Sequence, residues 1–137
     1  MNIHEKTAEQ TKLAAFHIWQ HTGCEDTLSL WYLAEDIAGY LEHHGLLGET
    51  ALAQKASLPA DSAEYIDFIR QIAYRLYIYI GINDETYNWH ITERLLSNAE
   101  WCHAVLMIAA ALHALRDMPA HMSGYQPYSP AIRELYR

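Results

Sequence analysis

The sequence predicts an all-α protein: a single-domain bundle of five or six helices over residues 1–137, with an irregular, Pro- and Tyr-containing segment from 118. Three observations carry this. Apolar residues recur at spacings of three and four along nearly the whole chain, the period of a helix buried on one face. Only six Gly and four Pro occur in 137 residues, so few points can break a helix. A hydrophobic content of 51% with 19% charged residues is that of a chain able to bury a core.

The first helix is expected to begin at Thr7, where Thr7 and Gln10 have capping-box spacing, and to end before Gly23. The second runs from Thr27 to His44 and stops at Gly45. At about 100° per residue, Leu30, Leu33, Ala34, Leu41 and His44 fall on the same side as Ile37, which makes that stripe the buried face. A short helix follows from Glu49 to Ser57, ahead of Pro59. Asp61 and Glu64 form a second capping box and open a helix that reaches Gly81. The run Tyr77–Ile80 favours a strand by propensity, but the stripe Tyr65, Phe68, Ile69, Ile72, Leu76 continues through it, so it is assigned to the helix.

From Asp84 to Asp117 the helical period is unbroken, yet Ser97 and Glu100 have capping-box spacing inside it. Two helices meeting near Ser97 are expected. The stretch Ala104–Leu112 is apolar nearly all round, as a central helix would be. Beyond Met118, Pro119, Gly124, Pro127 and Pro130 interrupt the pattern, and Ser129-Pro130 offers the start of a short terminal helix.

The function classes narrow by exclusion. There is no apolar leader and no stretch of roughly 20 apolar residues, so a cytoplasmic protein with no membrane partner is expected. Cys24 and Cys102 make no CxxC pair and read as free thiols in a reducing compartment. Cys24 lies beside Glu25 and Asp26, which disfavour a reactive thiolate. No phosphate-binding glycine loop or nucleophile-elbow motif is present. Basic residues are few and scattered, which argues against nucleic acid. No cofactor is expected, and no enzymatic activity.

Nine histidines prompt a search for metal ligands. His17 and His21 stand four apart on one helical face, and Glu100 and His103 have the E-x-x-H spacing of carboxylate-bridged di-iron bundles. Together they define the rival reading, a helical metalloenzyme. It is not preferred, because such sites need the E-x-x-H motif twice and it occurs once. Glu64 and Asp67 match half of a magnesium pyrophosphohydrolase pattern, but Glu35 and Asp36 do not complete the E-x-x-E it requires.

The charge distribution gives the preferred reading. Residues 1–67 carry eleven Asp/Glu against three Lys/Arg, whereas residues 68–137 carry six of each. On the second helix, Tyr32, Glu35, Gly39 and Glu42 lie opposite the core stripe. Trp31, Asp36 and His43 flank them, and Glu25 and Asp26 extend the acidity past the helix start. Aromatic residues set among charges resemble an interaction hot spot. The expectation is therefore an acidic binding module that uses Glu25, Asp26, Trp31, Tyr32, Glu35, Asp36, Glu42 and His43 to neutralise a basic protein. An immunity protein or inhibitor acting against a nuclease toxin exemplifies that class. A third reading is a structural protein that forms a homodimer through the same aromatic patch. Tyr87, Asn88, Trp89 and His90 form a second polar-aromatic group with no assigned role.

Overall fold

The computed structural model describes residues 3–116. It contains six helices: α1 (Ile3–Thr22), α2 (Thr27–His43), α3 (Glu49–Ala56), α4 (Ala63–Ile80), α5 (Glu85–Ser97) and α6 (Ala99–Arg116). There is no strand among the described residues. The expected irregular segment and terminal helix beyond Met118 lie outside them.

Helices α1, α2 and α6 pack mutually, α4 lies against α2 and α5, and α5 also touches α1 and α6. The short α3 bridges α4 and α6. The centre is filled by Ile18 of α1, Leu33, Ile37 and Leu41 of α2, Phe68 and Ile72 of α4, Leu95 of α5, and Trp101 and Ile108 of α6, all essentially sealed from solvent. Truncating one of the aliphatic members to Ala would cost ~2–5 kcal/mol. The apolar run Ala104–Leu112 lies within α6, which packs against both α1 and α2. It needs apolar surface on more than one side because it faces more than one neighbour.

Local chemistry sets the boundaries. The side chain of Asp26 caps α2, accepting from the Ser29 backbone N–H at 3.3 Å and the Ser29 hydroxyl at 3.0 Å. These bonds hold its carboxyl below the usual range. Gly81 ends α4 at φ +81°, a left-handed conformation that costs glycine nothing, and its N–H returns to the Tyr77 carbonyl at 2.8 Å. The run Tyr77–Ile80 is helical, as the stripe required.

Three caps differ from expectation. Thr7 starts nothing: α1 begins at Ile3, and Thr7 is buried inside it, its carbonyl accepting from the Thr11 hydroxyl at 2.7 Å. At α4 the capping residue is Ser62, not Asp61; its Oγ accepts from the Tyr65 N–H at 3.2 Å. Glu64 is thereby free to pair with Lys55 of α3 at 2.7 Å. At α6 the capping side chain belongs to Asn98, not Ser97, and accepts from the Trp101 N–H at 3.0 Å. Ser97 instead donates to the Arg94 carbonyl at 2.8 Å.

The break at Asn98 bends the chain by 85° between α5 and α6, giving the two helices expected. Asn98 also binds α1, with its Nδ2 3.3 Å from Nδ1 of the buried His17. That makes Nδ1 the acceptor and puts the proton on Nε2, which lies 3.3 Å from the Glu100 carboxylate without making a hydrogen bond to it. One residue thus ends a helix through its backbone N–H, and its side chain begins the next and meets a third.

Candidate binding surface

The acidic face expected on α2 does not reach the surface. Glu35 and Asp36 are each 4% exposed and Glu42 is 7% exposed, and Gly39 is buried as well. The wheel gave α2 one covered side, but α2 packs against α1, α4 and α6, so its central turns have no open side. His44, placed on the core stripe, lies at the C-terminal end and is exposed.

The buried carboxylates are accommodated one by one. Arg75 of α4 brings its Nε to 3.6 Å from Asp36 Oδ2, and its guanidinium sits over the Tyr40 ring at 4.4 Å. Burial raises the Asp36 carboxyl above its ordinary range, opposed by Arg75 and by the Tyr79 hydroxyl. Tyr79 in turn is pushed well above the usual phenol range, first by burial and then by Asp36. Glu42 Oε1 lies 3.2 Å from Nδ1 of His113. Glu35 has an oxygen with no hydrogen-bond partner, and burial pushes its carboxyl up to about 7, against the pull of a hydrogen bond from Trp31. Glu35 and Asp36 thus lie inside the bundle near Tyr79 of α4, and Glu42 lies separately against α6; none of the three carboxylates is exposed.

Two of the expected residues do come together in an open site. Glu25 and Trp31 line a groove of about 590 Å³ between α1 and the start of α2, along with Lys12, Phe16, Trp19 and Leu30. Phe16 and Trp19 are 47% and 44% exposed, with ring centroids 5.8 Å apart. Leu13 and Leu28 are also exposed. Asp26 is exposed next to Glu25, and Tyr32 is half-buried beside Trp31. His43 is not part of this site: it lies 12 residues beyond Trp31, about 18 Å along the helix.

The charge pattern does not point to Leu13, Phe16 and Trp19 of α1, which carry no charge. Their signal was present. Ala14 and Ile18 define the buried side of α1, and Leu13, Phe16 and Trp19 add apolar surface elsewhere on the same wheel. The bundle covers the side with Ala14 and Ile18 and leaves the second apolar side exposed.

The four metal-ligand candidates are not assembled. His17 meets Glu100, but His103 points to Glu49 of α3, with Nδ1 3.3 Å from Oε1. His21 lies near Arg94, and burial followed by that cation holds its imidazole below the ordinary range. Among the described residues, no three His, Cys, Asp or Glu side chains are grouped to hold a metal ion. Both cysteines are free and half-buried. The Cys102 thiol lies 3.3 Å from the Leu96 carbonyl, and burial pushes it up to about 11, beyond the range of an activated nucleophile. No single helix among the described residues is long and apolar enough to cross a membrane. Comparison of the chain with protein-family models, with curated proteins and with solved structures finds no match.

Proposed function

We propose that the protein is a helical binding module whose α1/α2 groove docks a basic protein partner. The partner would insert an apolar side chain between Phe16, Trp19 and Trp31, with Lys or Arg beside it to meet Glu25. The observation that carries this reading is the pair of aromatic rings, nearly half exposed, in an apolar groove whose lining holds one carboxylate, Glu25, and one cation, Lys12. Large exposed aromatic side chains in a concave site are the composition of an interface centre. A formal net charge of −8 gives the partner its sign by favouring encounter with a cationic surface. Inhibition of a nuclease toxin remains one member of this class.

The test compares proteins retained from lysate by the wild type, by F16S/W19S and by E25K, which leaves the Asp26 cap of α2 in place. Partners of this site are basic, are lost when salt rises from about 50 to 500 mM, and are lost with both variants. Charge reversal lowers the association rate and flattens its salt dependence, whereas aromatic removal raises the dissociation rate at least tenfold or so. Retention of the same proteins by both variants would place the interface elsewhere. Loss of a second copy of the chain alone would assign the groove to a homodimer.

A further inference from the structure

The group Tyr87–His90 is divided by the fold. His90 turns to Glu93, 3.6 Å away, whereas Asn88 and Trp89 line a cavity of about 380 Å³ between α4 and the first turns of α5. Its walls include Arg70, Tyr74, Tyr77 and Glu85. This cavity is unrelated to the α1/α2 groove and shares no residue with it.

Asn88 is 4% exposed. Its Nδ2–H donates to the Ile82 carbonyl at 2.8 Å, which fixes the amide orientation, because the flipped amide would set oxygen against oxygen. Oδ1 is then left buried without a donor. A buried acceptor with its bond unmade is unfavourable unless something supplies the donor. Tyr74 and Tyr77 are 57% and 44% exposed, with ring centroids 6.3 Å apart, and Trp89 is half-buried. They give the cavity aromatic walls. Arg70 is exposed and has no ion-pair partner among the described residues, and Glu85 is exposed in the same lining. Asp84 is less available, since its carboxylate already caps α5 by accepting from the Tyr87 N–H at 3.0 Å.

We infer that this cavity binds a free aromatic α-amino acid. Arg70 takes the carboxylate, Glu85 and the Asn88 Oδ1 take the ammonium, and the ring lies against Tyr74, Tyr77 and Trp89. A guanidinium matches a single carboxylate by a two-point bond. The carboxylates of Asp84 and Glu85 oppose a nucleotide, whose phosphates would bring several negative charges to one arginine. The volume lies at the small end of ligand pockets, enough for one or two rings and too small for a dinucleotide.

Calorimetric and amide-shift titrations with L-phenylalanine, L-tyrosine and L-tryptophan test this directly. At least one should bind saturably at sub-millimolar concentration, with shifts centred on residues 70–77 and 82–89. Phenethylamine, which lacks the carboxylate, and 3-phenylpropionate, which lacks the ammonium, should each bind at least about tenfold more weakly. R70A should weaken the amino acid and leave phenethylamine unchanged, and E85Q should weaken the amino acid without weakening 3-phenylpropionate. Both substitutions are on exposed side chains, so circular dichroism should show the fold intact. Absence of saturation by all three amino acids at about 10 mM would overturn the inference. So would equal affinity for either analogue, or undiminished binding to R70A. W19S should not alter this binding, which separates its failure from failure of the docking groove.

Discussion

Glu35 shows how one residue can resist the sequence pattern that placed it. With Asp36 before the apolar Ile37 and Ala38, it has the sequence context of a solvated helix face, yet it lies in the interior with its carboxyl raised to about 7 by burial. The folded state holds this proton more tightly than the unfolded chain does. Its contribution is therefore favourable at low pH and is lost as pH rises from about 4.5 through about 7. E35Q should accordingly match the wild type at pH 4 and exceed it at pH 8 by ~1–2 kcal/mol, less than full linkage would give because solvent penetration softens the penalty. Calorimetric melting at the two pH values decides it; equal stability at both would mean that the carboxyl is not desolvated in solution. A charge on a helix wheel was readable from sequence. The cation that allows its neighbour inside was not, because Arg75 is 39 positions from Asp36 and only folding makes them adjacent.

At the scale of the element, the helices were legible and their capping atoms were not. Gly81 and Gly45 end α4 and α2 where glycine permits the turn, and the apolar stripe through Tyr77–Ile80 outweighed strand propensity. Capping patterns located each start to within about a residue at α4 and α6 but named the neighbour of the true cap. Serine, asparagine and aspartate all serve as caps, so adjacent candidates are separated only by which one takes the extended conformation. The distinction is measurable. N98A should cost ~1–2 kcal/mol, since it removes both the cap to Trp101 and the contact to His17, whereas S97A should stay within about 0.5 kcal/mol. Urea denaturation of the two variants would show it. The helix capping pattern failed most at Thr7, where four more helical residues precede the proposed start and the pattern is an accident of spacing.

For the whole molecule, the division of charge between halves said less about its surface than the count implied. Glu35, Asp36 and Glu42 are interior, and the acidity of the surface comes from exposed residues such as Glu25, Asp26, Asp61 and Asp67. The charge asymmetry was readable by counting, but its address required knowing that α2 has three neighbours. Salt then distinguishes two kinds of association. Two copies each carrying a formal charge of −8 repel, so contact through the apolar groove should strengthen as salt rises, while attraction to a basic protein should weaken. Light scattering across about 50–500 mM salt checks the first half. Self-association that fell with salt would mean that opposite charges, not the aromatic groove, join the copies.

The placement of the indole side chains has a practical consequence. Trp101 is sealed in the core, Trp19 is 44% exposed in the groove, and Trp89 lines the separate cavity between α4 and α5. A soluble collisional quencher such as iodide can reach Trp19 and cannot reach Trp101. The protein therefore carries its own fluorescent reporters at two separate locations. Replacing the groove pair Trp19 and Trp31 by phenylalanine, or Trp89 alone, would assign any change in quenching to a protein in the groove or a small ligand in the cavity, without attaching a label to either.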